Sequence, residues 1–283
     1  MLKIKLFTIF LALKTIFCSC NKNDSEQKTH NTHKNVKFKK EAKLDSEINE
    51  SSGLAHAKAG NYFTHNDGPD QTLFEITIKG KILSKHELEI ELHDWEELAE
   101  DSTMLFVGDF GNNSNHRNNL RIYLIEKENF TQKGLITFKY EDQKRFPPPK
   151  NEMNFDCEAF VKFNDSLYLF SKNRGNKLVK LYTLPAKSGN YIAKAKDSLF
   201  LTSMITGADI SPDKSKLALL AYGKIYIFEL KNGLRLNNPY FCVKFPHCGQ
   251  VEAILFKTNN ELIITNEGGK IFLAHIKNKK SEQ

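Results

Sequence analysis

Acidic residues recur along this chain in a repeated apolar context: Glu50-Ser-Ser-Gly-Leu, Glu96-Glu-Leu-Ala, Glu158-Ala-Phe-Val, Asp209-Ile-Ser-Pro and Glu252-Ala-Ile-Leu. Asp94 and Asp156 stand two residues before Glu96 and Glu158, and Gln250 two before Glu252. In a strand that spacing turns both members of a pair to one face, with Trp95 and Cys157 turned to the other. A polar cluster begins 12 to 14 residues after each acid: Thr64-His-Asn-Asp67, Gly108-Asp-Phe-Gly-Asn-Asn113, Ser171-Lys-Asn-Arg174, Ala221-Tyr-Gly223 and Thr265-Asn-Glu-Gly-Gly269. Carboxylates gathered without counter-charge push one another's pKa upward, so something must compensate them.

Three compensations are open. A hard cation, calcium foremost, can be held by the oxygens of Glu50, Asp94, Glu96, Asp109, Asp156, Glu158, Asp209 and Glu252. Asn66, Asp67, Asn112, Asn113, Asn173 and Asn266 would supply further oxygens. Alternatively, Lys172, Arg174 and Arg117 pair with the acids and the site is a polar ligand cup. In the third case each acid accepts hydrogen bonds from backbone amides of a neighbouring unit and locks the fold. Hydrolysis at such a site needs a general base beside a polarised carbonyl, and His65 and His93 are the candidates, with His247 on the approach to the last acid.

The elements that must position these groups are strands. Runs rich in Ile, Leu, Phe, Tyr and Val alternate with Gly, Asn, Asp and Lys turns, and no sustained 3.6-residue apolar period is present. Each acid opens a strand, a tight turn leads to a second strand that ends in the polar cluster, and a third and fourth strand follow, as in Leu120–Ile125 and Leu135–Tyr140. Four antiparallel strands per unit of this length describe an all-β fold, a β-propeller of five four-stranded blades, with six possible if the long interval between Glu96 and Glu158 hides another. The last unit lacks a fourth strand. Val36-Lys-Phe-Lys-Lys-Glu-Ala-Lys-Leu44 can supply it and close the ring, which also hides an exposed edge. The Arg145-Phe-Pro-Pro-Pro-Lys150 stretch cannot join a ladder and reads as a stiff connector, or as a docking loop on the face of the acids.

Taken together, Glu50-Ser-Ser-Gly-Leu, Asn66-Asp67, Asp94-Trp-Glu96, Gly108 to Asn113 with Arg117, Asp156-Cys-Glu-Ala159, Gly207-Ala-Asp209 and Gln250-Val-Glu-Ala253 resemble a group of bacterial envelope propellers. More distantly the chain is similar to the calcium-dependent lactonase and gluconolactonase superfamily and to phytase-like esterase propellers. The resemblance covers roughly residues 45 to 277. It implies a propeller with calcium in its channel and hydrolysis of an ester or lactone. The lactonase metal set of Glu, Asn, Asn and Asp would fall on Glu50 and Asp209, with Asn173 or Asn266 in an amide position.

The front of the chain is different in kind. Lys3 and Lys5 precede the apolar run Leu6 to Leu13, and Cys18-Ser19-Cys20 is followed by polar Asn21 to Glu26. A basic start with a short apolar core is a secretory signal. Ser19-Cys20 resembles a lipoprotein cleavage site with Cys20 as the lipidated residue, although Phe17 and Lys14 depart from the strict pattern. Residues 1–20 are expected to be signal and lipobox, 21–43 a flexible polar tether, 44–277 the propeller and 278–283 a polar tail. The +7 formal charge of the 283 residues lies wholly within residues 1–43, leaving the body neutral, so a nucleic-acid partner is not expected. The expected partners are a membrane through the lipid anchor and a small-molecule, glycan or protein ligand, bound by a monomer in the bacterial envelope, periplasmic or surface-facing. Cys157, Cys242 and Cys248 lack metal-type spacing and read as buried thiols, a Cys242–Cys248 pair being the alternative. No nucleophile elbow, phosphate loop, dinucleotide fingerprint or zinc cluster is present.

Overall fold

Alternating side chains along these strands are apolar on both faces, so each sheet must be covered twice. The computed structural model, which describes His30–Asn31 and residues 36–277 apart from 173, 232, 239, 246 and 247, meets this by arranging sheets face to face in a ring. A two-residue strand β1 (His30–Asn31) and strand β2 (Val36–Lys43) precede the first blade. That blade is β3 (Ser51–His56), β4 (Tyr62–Asn66), β5 (Thr72–Ile76) and β6 (Ile82–Glu87). The second holds β7 (Trp95–Glu100), β8 (Met104–Asp109), β9 (Leu120–Glu126) and β10 (Gln132–Tyr140), and the third β11 (Cys157–Phe163), β12 (Ser166–Ser171), β13 (Leu178–Pro185) and β14 (Gly189–Phe200). The fourth is β15 (Ile205–Ile210), β16 (Lys216–Ala221), β17 (Lys224–Glu229) and β18 (Tyr240–Lys244). The fifth runs β19 (Val251–Thr258), β20 (Glu261–Asn266), β21 (Lys270–Ile276) and then β2, which pairs antiparallel with β21 from Val36↔Ile276 to Lys43↔Lys270. The chain is therefore a five-bladed β-propeller whose ring is closed by an N-terminal strand.

Two joins go beyond simple meanders. Outer strands β10 and β14 pair in parallel between Ile136↔Gly189 and Tyr140↔Ala193, fusing the second and third blades at their rims. Part of the segment expected to be a free tether also pairs, since β1 runs parallel to β18 on the fourth blade. The Arg145 to Lys150 connector holds a cis Phe146–Pro147 bond and leads from the outer strand β10 to the inner strand β11. The signal, Cys20, Asn173 and His247 lie outside the described residues.

Five apolar clusters occupy the five blade-to-blade interfaces, and period-two alternation decides which residue serves which. Along β16, Leu217, Leu219 and Ala221 face the third blade while Ala218 and Leu220 face the fifth. Leu44, Ile48 and Leu54 pack against Ala253, Leu255 and Ile263, which closes the ring. Each fully buried Leu, Ile or Phe contributes about 1.5–3 kcal/mol. Cys157 and Cys248 are buried free thiols, so Cys248 does not pair with Cys242. No described helix is long and apolar enough to cross a membrane.

Candidate functional site: an acidic cup at one mouth of the channel

The inner strands β3, β7, β11, β15 and β19 all carry a bulge at the same place, between Ser51 and Leu54, Trp95 and Glu97, Cys157 and Ala159, Ile205 and Gly207, and Val251 and Ala253. A bulge inserts one unpaired residue and re-aims its side chain. The residues so aimed are Ser52, Glu96, Glu158, Thr206 and Glu252. Two positions earlier stand Glu50, Asp94, Asp156, Met204 and Gln250, whose carbonyls accept from the amides of Asp67, Gly111, Lys172, Tyr222 and Glu267 at 2.8–3.3 Å. These bonds pin the end of each second strand to the start of its inner strand. Together the three tiers surround a cavity of about 210 Å³ at one end of the channel.

Among the described residues, eight acids face two cations in and around this cup. Glu158 and Asp156 are the compensated ones. Lys172, buried, meets Glu158 and lies 5.4 Å from the centre of the Tyr222 ring. Arg174 donates to Asp156 at 2.6 Å and to Glu158 at 3.1 Å, and also meets Asn113. The other Asp156 oxygen accepts from the Asn112 amide of the preceding blade at 2.9 Å. Glu252 accepts from the Tyr222 hydroxyl at 2.9 Å, and the Gln250 amide meets Glu267.

Among the described residues, Asp67, Asp94 and Glu96 have no such partner. Each offers one oxygen within 4.8 Å of the other two, and Glu96 belongs to a second such triad with Asp156 and Glu158. Burial holds the Glu96 carboxyl well above the usual range, and the charges of Glu158 and Asp67 add to this. Asp94 is raised by burial and then by Asp156, and Asp67 is pushed up to about 6 by desolvation and then by Asp94. Burial also raises Glu158 and Glu252, in both cases against the attraction of Lys172. For Lys172 burial works against the charge, but Glu158, Tyr222 and Glu252 outweigh it and its pKa rises. Gly111 makes the triad possible, because a Cβ there would fall inside the envelopes of Glu96 Oε1 and Asp94 Oδ2.

Several residues singled out from the sequence sit elsewhere. Asp209 is at the far end of β15, paired across to Ala218, where its carboxylate accepts from the Phe256 amide at 2.6 Å, so it belongs to the opposite mouth. Thr206, not Asp209, takes the fourth blade's place in the ring, and Glu50 is the counterpart of Asp94, leaving Ser52 opposite Glu96. Asp109 is fully buried and accepts from the His93 and Asp94 amides at 3.1 and 2.9 Å and from Arg117 at 3.0 Å, which makes both a brace for the second blade. Asn66 and Asn266 are turned into loop clamps, toward Asn49, Glu50 and Glu47 and toward Lys270 and Cys248. Asn112 likewise bonds Arg117 and Phe155 backbone. His65 does not reach the cup: it is fully buried, stacked on Trp95 at 3.8 Å between ring centres, and burial pulls its pKa down to about 3. His93 is on the surface with Nδ1 3.6 Å from Asp109.

One residue escaped the sequence reading altogether. After the bulged position the five inner strands carry Gly53, Glu97, Ala159, Gly207 and Ala253. Four small residues leave room for one long one, and Glu97, 1% exposed, fills the channel beneath the cup. Its Oε1 accepts from the Leu98 amide at 2.9 Å, while Oε2 is buried with no hydrogen-bond partner among the described residues; the nearby amides of Ala208 and Leu54 favour its charged form. Burial still holds its pKa well above the usual range. Small residues at equivalent inner-strand positions were the available signal.

No family model matches the chain, and no curated protein is similar to it. Among solved structures it is similar to the Neurospora crassa Pan2 WD40 domain, with 11% identity over 81% of this chain and 63% of that one and a TM-score of 0.40. It is also similar to virginiamycin B lyase from Staphylococcus aureus, with 16% identity over 83% and 69% of the two chains and a TM-score of 0.41. These likenesses concern the fold alone.

Proposed function

We propose that the cup binds a hard divalent cation, calcium by its oxygen-only donors, and that cation, Lys172 and Arg174 together hold a polar ligand or partner. The carrying observation is the Asp67, Asp94 and Glu96 triad, three carboxylate oxygens within 4.8 Å of one another that form no ion pair with a cationic side chain among the described residues. An ion with bonds of about 2.4 Å spans that separation. Bound there, it would supply positive charge and open coordination positions. Lys172 and Arg174 flank it, so an anionic or hydroxyl-rich ligand would meet three positive centres.

Binding is favoured over ester or lactone hydrolysis by the placement of the bases. Among the described lining residues there is no histidine, and the Ser52 hydroxyl donates to the Glu96 carbonyl at 2.6 Å. If the cup does hydrolyse an ester, the proton acceptor falls to Glu158 or Glu252. We further propose that the propeller is exported and lipid-anchored at Cys20, with the lysines of the tether lying against anionic headgroups.

Thermal unfolding with calcium and with chelator tests the cation. At a hundredfold excess over Kd the native state gains about 2.7 kcal/mol, which for a domain of this size raises Tm by about 5–11 °C. The increment should vanish in Asp94→Asn plus Glu96→Gln. A wild-type protein with no calcium-dependent shift, or a double variant that keeps it, refutes the reading.

A further inference from the structure

The opposite mouth is a second cavity, of about 400 Å³, chemically unlike the cup. Along each inner strand the order is fixed: Ser52, Gly53, Leu54 in the first blade and Glu96, Glu97, Leu98 in the second. Ser52 and Glu96 line the acidic cup, Leu54 and Leu98 line the second cavity, and Glu97 fills the channel between them. The two mouths are therefore separate sites.

The floor of this cavity is apolar, built by Leu54, Leu98, Phe160 and Leu255. Its rim carries three carboxylates, and all three are spent. Glu100 accepts from the His56 amide at 3.0 Å and from His56 Nδ1 at 2.5 Å, and it also meets Lys127. Asp101 accepts from the Thr103 and Met104 amides at 3.0 and 2.9 Å and pairs with Lys162 at 3.2 Å. Asp209 holds the Phe256 amide.

The rim groups that remain are cationic or hydrogen-bond donors. With Nδ1 engaged by Glu100, the imidazole of His56 is left with Nε2, which has no partner among the described residues. Burial works against a charge on His56, but the Glu100 hydrogen bond and the charges of Glu100 and Asp209 prevail. The exposed Lys214 lines the same rim, and no ion pair is formed by its ammonium among the described residues. Lys162 also lines the cavity, but it is spent on Asp101.

We propose that this lower mouth binds a small amphipathic carboxylate, its head on His56 and Lys214 and its aliphatic body on the Leu54, Leu98, Phe160 and Leu255 floor. A single negative charge matches the two uncommitted groups, whereas the fixed carboxylates of the rim disfavour a dianion. The volume falls in the range of small-molecule pockets. The site needs no cation in the upper cup, so its failure and that of the cation reading can be told apart.

Calorimetric titration of octanoate into the full chain in chelator tests this. Saturable one-to-one binding is expected, about tenfold weaker for octanol and about tenfold weaker in His56→Gln, as for the loss of a charge-assisted hydrogen bond. Lys214→Ala, at an exposed turn, should weaken binding while leaving the melting temperature unchanged, and Glu96→Gln should leave octanoate binding as it was. Absence of saturable binding at millimolar octanoate, equal affinity for octanol, or wild-type affinity in both His56→Gln and Lys214→Ala overturns the proposal. Loss of binding in Glu96→Gln would move the ligand to the other mouth and also overturn it.

Discussion

Gly111→Ala separates what the cup does for the fold from what it does for a cation. Gly111 does not need a positive φ, so the backbone accepts alanine. The atoms nearest the new methyl group are Glu96 Oε1 and the Oδ2 and Cγ of Asp94. To reach ordinary van der Waals contact each oxygen must retreat by roughly 1 Å. In chelator this costs little, because the displaced atoms end flexible side chains at an open mouth, and the shift should stay within about 1 kcal/mol of wild type. For a bound ion the same movement is severe, since ligand distances tolerate only about 0.2 Å. Taking an affinity loss of about a hundredfold, calcium at 100 times the wild-type Kd stabilises wild type by about 2.7 kcal/mol and the variant by about 0.4 kcal/mol. In melting temperature that is roughly 5–11 °C against 1–2 °C. Differential scanning calorimetry with calcium and with chelator reads both numbers. If the variant keeps the full calcium increment, the triad is not the site; if it is destabilised equally in both buffers, Asp94 and Glu96 serve the fold and not an ion.

Two further outcomes are expected, one from the structure and one from the sequence. Burial pushes the Asp209 carboxyl up to about 7, with the Phe256 and Ile210 amides offsetting part of the effect. The unfolded chain ionises this group near its ordinary value of 3.8. Between those values the folded state binds more protons, so stability falls as pH rises from 4 to 7, by at most about 4 kcal/mol through this group. Asp209→Asn should therefore be more stable than wild type at pH 8, by about 1–3 kcal/mol after loss of the stronger acceptor, and the gap should close toward pH 4. Urea titrations across that range in chelator measure it, and a variant less stable at pH 8 with an unchanged pH profile contradicts the assignment. For the proposed anchor at Cys20, the full chain made in a bacterial host should incorporate labelled fatty acid and fractionate with membranes. A Cys20→Ala variant that still carries label would exclude that cysteine.

Strand order was legible in the sequence because apolar alternation and turn residues are local signals, and the missing fourth strand of the last unit pointed directly to residues 36 to 44. The ring was less legible than the blades. Aligning the units on their acids set Asp209 beside Glu158 and Glu50 beside Glu96. Pairing with the second strand, which fixes true register, depends on partners such as Ala218 and Asn66 that the acid theme ignores. His65 reads as a mouth residue from its neighbours Asn66 and Asp67, yet strand alternation turns it onto Trp95. The staples account for only some of the acids: Asp109, Asp156 and Asp209 are held by backbone amides, while Asp67, Asp94 and Glu96 form the carboxylate triad on which the cation proposal rests.

The repeated bulge explains why the two mouths can differ within one set of strands. An unbroken strand would alternate sides strictly, so adjacent Glu96 and Glu97 could not both turn toward the axis. The extra residue lets Glu96 enter the cup while Glu97 takes the centre, and the small residues at 53, 159, 207 and 253 clear the space that a single carboxyl then occupies. A ring of five small residues would leave one continuous channel, and five acids would be untenable on electrostatic grounds. One long side chain among four small ones is the arrangement that seals the axis with a single carboxyl, held by the Leu98 amide. Below that seal the residues become Leu54, Leu98 and Ala208, and the chemistry changes from carboxylate to apolar within one step along the strand. A body with no net charge can for that reason carry a concentrated acidic site at one end and an apolar-floored one at the other.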